Sequence, residues 1–423
     1  MAAMDEAPSP YTPGIIGDER PPPRPAGRAV VFLVATFVMA IVTSELWQEW
    51  SRRAMVITGS TASVNAVVGL ASLPGVLILL WAYLSDAVPL WGTRREGYLM
   101  LACLVAAVAW LAVAVANGHH IAWLVAAVPL GFAASMSRAA IAGALTEIGQ
   151  RRAATGAYAA SRTALVSLAS LASQPLLVWS AWAAYASIWL IAGVAAGLAL
   201  AVLGLTATLS DTAAPVLAPP PPVTIGRFLR SRALWTAVPL LVCAGIARVP
   251  QGLLMLELRE THADRFLMLF PGWEGPAVAI AAAVVYLLAS RRVGFAPLLG
   301  LALLAKAAAL AALALAYNGM AEGPLRLALL AQAACHGLAI VAILDLAMRM
   351  APTGREAFGV VLVAGVPNVL TTAVDTVAIS LQVPAGRLAW FAAGAALAAA
   401  IAVRLLPREI TDRPVGRMVV SPP

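Results

Sequence analysis

Residues 81–99 read WAYLSDAVPLWGTRREGYL, and this stretch decides how the rest of the chain is read. An apolar run ends in Ser85-Asp86, Pro89 and Gly92 punctuate a turn, and Arg94-Arg95 precede the next apolar run from Tyr98. Proline presets one turn position and glycine supplies backbone angles that other residues avoid, so a short reversal between two helices is expected. The flanking charges can then meet, and Asp86 facing Arg94 and Arg95 forms a charge-assisted latch across the turn. Such a latch at the rim of a helical bundle can hold one access state and release it when the bundle moves. The plainer alternative is that Asp86 caps the turn and the arginines fix topology.

The sequence around this stretch is that of a membrane protein. Of 423 residues 61% are hydrophobic and 11% are charged, against about half and about a quarter in soluble domains. The mean hydropathy is +0.87, and 32 Gly and 29 Pro are spread through the apolar runs, as is usual for membrane helices. At about 20 apolar residues per span the chain holds about 12 spans. Reading apolar runs between polar breaks puts helices at roughly 29–47, 62–84, 98–116, 121–146, 157–178, 184–209, 233–255, 274–290, 296–317, 325–349, 358–381 and 388–406. Residues 1–28, with Pro21, Pro22, Pro23 and Pro25 among charges, read as a disordered tail. A full-length span follows, not the short core of a cleavable signal, so helix 1 is expected to stay as an anchor. Residues 210–232, rich in proline, read as a semi-rigid linker between two six-helix halves at 29–209 and 233–406, with a tail at 407–423. The expected fold class is therefore an all-α membrane protein of 12 helices in two pseudo-symmetric halves.

The positive charge is nearly all arginine, Lys306 being the one lysine. These residues sit in short loops between apolar runs, which argues against a nucleic-acid surface. The tails and even-numbered loops hold 18 arginines and the odd-numbered loops six, so both termini and the linker are expected on the cytoplasmic side of what reads as a bacterial inner membrane. Cys103, Cys243 and Cys335 lie in apolar segments without CxxC spacing and suggest neither disulfides nor a zinc site. No cofactor or metal is expected.

A weak repeat supports two halves. Helix 2 ends in Tyr83-Leu84-Ser85-Asp86 before Arg94-Arg95, and helix 8 ends in Tyr286-Leu287-Leu288 before Arg291-Arg292. Carriers built from parallel repeats place their substrate site between the halves near the midplane. The order Ser85-Asp86, Pro89, Gly92, Arg94-Arg95, Tyr98-Leu99 resembles the loop signature of the major facilitator superfamily in the form carried by folate-biopterin transporters. A second stretch, AMRMAPTGREAFGVVLVAGVPN at 347–368, is similar to that family's link between helices 10 and 11, through Arg349, Pro352, Gly354, Glu356, Phe358 and Asn368. The resemblance implies a twelve-helix carrier over about residues 29–406. The sequence departs from the family where a solute would bind. Pro74 is kept, but Ile78 and Leu79 fill the places of a lysine-proline pair, and along helix 4 Arg138 and Ala142 replace acidic residues while Glu147 remains. The charge pattern of the pocket therefore differs from that of a folate carrier.

Ionisable residues inside spans are the other pointer, since each costs about 2.5–3.5 kcal/mol at a helix centre on insertion scales and is kept when it faces a cavity or a partner. Arg138 in helix 4 and Arg248 in helix 7 can clamp a carboxylate or phosphate across the cavity, or form structural ion pairs. Glu45, at the end of helix 1, either marks the membrane interface or reads a cationic group at the cavity mouth. Asp345 and Asp375 are candidates for proton coupling, although Asp345 stands four residues before Arg349, the spacing of a simple intrahelical pair. Arg162 is expected to snorkel to the rim or pair with Glu147, and Lys306 to snorkel. His336 is expected to be a hydrogen-bonded core residue, with a proton relay as the alternative.

The expected function is a monomeric secondary transporter that moves a small polar organic solute by alternating access, with an anionic pterin- or folate-like metabolite among the options and protons as a possible coupling ion. A carrier-like assembly or pigment-handling factor that transports nothing is the alternative. A membrane-embedded transferase is a third reading, disfavoured because no loop carries a DxxD-like or HExxH-like set, and no P-loop is present to power a pump.

Overall fold

The computed structural model describes residues 27–46, 77–116, 120–182, 187–210, 225–249, 274–319, 322–381 and 383–411. These hold twelve helices of ten residues or more. The N-terminal six are α1 (Gly27–Ala40), α2 (Ile78–Ala87), α3 (Glu96–Ala116), α4 (His120–Arg151), α5 (Thr155–Trp182) and α6 (Ser187–Ser210). The C-terminal six are α7 (Arg232–Ile246), α8 (Glu274–Ala289), α9 (Phe295–Gly319), α10 (Glu322–Met350), α11 (Glu356–Ser380) and α12 (Ala385–Ala402). Among the described residues eight helices are long and apolar enough to cross a membrane. Most of both tails and the proline-rich part of the linker fall outside the described residues; the linker's end carries a short helix, Ile225–Leu229, and the C-terminal tail begins with another, Arg408–Thr411.

Within the halves, α3 packs against α4 and α6, and α9 against α10 and α12. Alanines such as Ala102, Ala106, Ala195, Ala199, Ala392 and Ala396 fill these seams and are almost fully buried. Small side chains let helix backbones approach closely where lipid supplies no hydrophobic drive of its own. Between the halves, α2 and α4 meet α11, and α5 meets α8 and α10. Gly143 of α4 marks the tightest approach, since a Cβ there would stand 2.5 Å from the Cβ of Ala357.

Two local departures from regular helix shape the interior. Helix α1 continues into a π-helical turn, Ile41–Glu45, and the freed carbonyl of Val42 accepts the indole N–H of Trp110 at 2.9 Å. Helix α7, expected to reach residue 255, ends at Ile246. Pro250 lies just beyond, and a residue before proline is biased away from helical angles. The end is held by α11, where the Thr371 hydroxyl donates to the Gly245 carbonyl at 3.0 Å and Pro367 presses against Gly245.

Candidate functional site: a latch between the halves and buried cations

The link from α2 to α3 is a two-residue hairpin. Leu90 and Thr93 exchange both backbone hydrogen bonds at 2.9 Å, and Trp91 and Gly92 both take positive φ, 48° and 74°, as a type I′ turn requires. The Thr93 hydroxyl accepts the Gly97 N–H at 2.9 Å. A Cβ on Gly97 would lie 2.5 Å from the Leu90 carbonyl oxygen, so only glycine lets α3 start this close to the turn.

This rigid turn delivers Asp86 and Arg95 to one buried point, each 1% exposed. Arg95 donates to Asp86 at 3.0 Å and to Glu356 at 2.6 Å, and it also pairs with Glu147. Burial alone would push the Arg95 pKa down, but Glu147, Glu356 and Asp86 outweigh it and hold the guanidinium above its ordinary value. Arg95 is therefore a permanent cation. Asp86 in turn accepts the Phe358 N–H at 2.8 Å and the Ala357 N–H at 3.3 Å. Those are unsatisfied donors of the first turn of α11, where the helix dipole also favours a negative charge. Glu356 accepts the Gly354 N–H at 2.9 Å, and Gly354 takes φ 83°, which its lack of a side chain allows. Arg94, expected beside Asp86, makes no ion pair among the described residues; the turn points Arg95 inward instead.

Glu147 is the hub on the N-terminal side. It also receives Arg151 at 2.7 Å and Arg28 at 3.6 Å, and Arg28 donates to Glu96 at 2.7 Å. The sequence reading left Arg28 in the tail; it stands in the first turn of α1.

A second contact joins the halves beside the first. Asp345 of α10 accepts the Thr155 hydroxyl of α5 at 2.6 Å and the Tyr286 hydroxyl of α8 at 2.8 Å. The expected pair with Arg349 is present at 2.9 Å, yet it is only one of three bonds to this carboxylate. Gln150 donates to the carbonyls of Met348 and Ala351 at the end of α10, both at 2.7 Å. Arg355 lies over the Tyr83 ring, 5.0 Å from its centroid. Among the described residues, all hydrogen bonds between the halves lie at this one rim, which also carries the Arg94-Arg95, Arg151-Arg152 and Arg291-Arg292 pairs.

Sequence reasoning missed Thr155, and a signal for it existed. Residues 147–156 read EIGQRRAATG and residues 345–354 read DLAMRMAPTG, so an acid, an arginine four residues on and a Thr-Gly recur at the same spacing in both halves. In the folded chain each copy ends at the start of the helix that the other half holds, α5 or α11.

Further basic groups lie deeper in the spans, and among the described residues no acid pairs with Arg138, Arg162 or Lys306. Arg138 donates to the Ser44 hydroxyl at 2.6 Å, and the π-helical turn of α1 presents that serine; such turns are frequent at functional sites. Arg162, expected to snorkel or pair with Glu147, does neither: it is part-buried and close enough to Arg138 for the two charges to act on each other. Glu147 is already held by three arginines. In the other half Arg248 lies in the non-helical segment just after α7, where its charge acts on Lys306 of α9 and His336 of α10. Lys306 does not snorkel, being 3% exposed near the middle of its helix. His336 is not fully hydrogen-bonded, since its Nδ1 is buried without a partner. The side chains of Glu45 and Asp375 lie outside the described residues.

The model of the BT1 family matches residues 55–216, which include the α2–α3 turn. No curated protein matches the sequence. Among solved structures the chain is similar to a bacterial homologue of the iron transporter ferroportin in an outward-facing state, at 13% identity and TM-score 0.71 over 89% of this chain and 98% of that one. It is also similar to FucP, a major facilitator superfamily transporter in an outward conformation, at 12% identity and TM-score 0.69 over 89% and 98%. A third likeness is to the human organic anion transporter MFSD10, at 14% identity and TM-score 0.63 over 90% and 100%. The chain is a multi-pass integral membrane protein with the fold of major facilitator transporters, and these neighbours are transporters, not enzymes.

Proposed function

We propose that the chain is a secondary carrier that moves a small anionic organic solute by alternating access, with both termini and the latched rim in the cytoplasm. One observation carries the reading: the polar bonds between the halves gather at a single rim, while Arg138 and Arg162 sit in the spans with no carboxylate against them among the described residues. A bundle fastened at one end by bonds between two halves has a second state in which they part. Two like charges inside the spans repel each other until a counter-charge arrives, and an anionic solute is that counter-charge. The fold shared with a protein named for organic anions supports this choice of solute class. The excess of arginine at the latched rim supports its orientation.

Release on the cytoplasmic side then requires Asp86 to leave the start of α11 and Thr155 to leave Asp345. Asp345 stays a coupling candidate because its carboxylate spans the contact, accepting from Thr155 of the other half on one oxygen and from Tyr286 on the other. Asp375 stays a candidate by its place in α11. A solute carrying a pterin-like ring is compatible with an anion clamp but not required by it.

Purified protein in a thermal-shift panel of anionic, neutral and cationic metabolites tests the reading, since ligand binding raises stability by mass action. Anions are expected to stabilise it. Arg138→Ala or Arg162→Ala should weaken their binding by about 1.5–3 kcal/mol, the worth of a hydrogen bond to a charged group, or about 10- to 150-fold in Kd. Stabilisation by neutral solutes alone, undiminished in both variants, overturns the anion. Proteoliposomes that bind the solute but show no counterflow would favour the non-transporting factor.

A further inference from the structure

We infer that Lys306 and His336 form a second anion subsite, in the C-terminal half, and that the solute carries two separated anionic groups, one for each half. The inference rests on the anionic-solute reading above and extends it. Lys306 is the chain's one lysine, set in the run LALLAKAAALAALALA, and it is buried near the middle of α9. It makes no hydrogen bond and no ion pair with any described residue. The described side chains of α7, α9 and α12 include no acid. Asp345 of α10 is committed to Thr155, Tyr286 and Arg349 at the rim, and Glu274 of α8 is paired with Arg326.

A buried ammonium kept without a counter-charge is a site in search of one, because burial disfavours a charge and no described residue compensates it. His336 stands close enough to feel the Lys306 charge, and its unpartnered Nδ1 offers a directional contact beside a point charge. Ammonium and imidazole together suit a carboxylate or phosphate. A monoanion can neutralise the Arg138–Arg162 pair or the Lys306 cluster, but not both. A dianion neutralises both and ties the two halves together through itself, which is what a carrier's solute must do to change the equilibrium between its states.

The test uses the full-length purified protein and α,ω-dicarboxylates from succinate to suberate, each against the monocarboxylate of equal chain length. At least one dicarboxylate should bind ten-fold or more tightly than its monoanionic counterpart. Lys306→Met should erase that advantage, Lys306→Arg should retain part of it, and Arg138→Ala should weaken both classes. Retention of the full advantage in Lys306→Met, or no dicarboxylate outranking its counterpart, overturns the second subsite. In the second case, monocarboxylates that still bind through Arg138 leave the anion carrier standing; if no anion binds and neutral solutes do, both readings fall. A further measurement is independent of any solute. With Cys103, Cys243 and Cys335 replaced, Lys306→Cys should react with the anionic reagent sulfonatoethyl methanethiosulfonate, and the best-binding dicarboxylate should protect it. A cysteine at 306 that does not react shows a sealed core lysine and removes the subsite.

Discussion

Replacing Asp86 by Asn keeps the size of the side chain and removes its charge, and the consequence can be sized from the latch. The carboxylate accepts two backbone N–H groups at the start of α11, at 2.8 and 3.3 Å, and one guanidinium bond at 3.0 Å. Arg95 lies in the same half as Asp86, so that bond can persist when the halves part and contributes little to the difference between states. What changes is the contact with α11. A charge at a partly buried helix N-terminus is worth up to about 2 kcal/mol, and hydrogen bonds to charged groups about 1.5–3 kcal/mol; an amide oxygen keeps part of the second. A net loss of about 2–3 kcal/mol for the closed rim follows, equal to about 30- to 150-fold in the ratio of open to closed molecules. Spin labels at Arg152 and Arg291, exposed on loops of opposite halves at this rim, would read that ratio as a distance distribution by pulsed EPR. The expected result is a new, longer population in Asp86→Asn with solute affinity intact at the closed-state limit. An unchanged distribution combined with lost affinity would falsify the latch and make Asp86 part of the binding site.

Three further outcomes follow from the same geometry. Thr155→Ala removes a 2.6 Å donor from a buried acid of the other half and should open the rim by about 1–3 kcal/mol, whereas Tyr286→Phe, which removes a bond within the C-terminal half, should shift the label distances far less; no change in Thr155→Ala would remove Asp345 from the contact between the halves. Gly143→Val places a side chain against Ala357 and Arg95, so closure should be blocked and the longer label distance should dominate at equilibrium, while a closed distribution would contradict the packing described. Raising the pH from 7 to 10 should leave the label distances unchanged. A cation whose pKa is raised in the folded state gives its full stabilisation below its unfolded-state pKa and loses it as the pH climbs from there through the raised value, and Arg95 is raised from an already high value.

The α2–α3 turn was readable because its chemistry is local. Pro89, Gly92, Asp86 and the arginine pair lie within one short stretch, and spacing alone brings them together. Which arginine turns inward was not readable, since the choice depends on the left-handed pair Trp91-Gly92, and a tryptophan gives no hint of a positive φ. The partner of Asp86 was hidden for a different reason: the first N–H groups of α11 are backbone, and no side-chain pattern announces them. Lys306 is expected at the membrane surface, and Arg162 there or against Glu147, because long basic side chains usually snorkel, a rule that fails when a helix turns that face toward protein. The stop of α7 at Ile246 could have been taken from Pro250, but the apolar run continues through it and hydropathy prevailed. Thr155-Gly156 was visible as a repeated string, yet only the fold shows that each copy meets the opposite half.

The sharing of Glu147 among Arg28, Arg95 and Arg151 bears on how often the molecule can cycle. In the proposed open state Arg95 would lose Glu356 but keep Glu147 and Asp86, so no bare cation is stranded in the protein interior. The N-terminal half thus keeps the shape of its socket while empty. In the proposed cycle, reclosure is then the docking of a helix end into a receptor already formed, and the N-terminal half of the lock need not be remade at each turn.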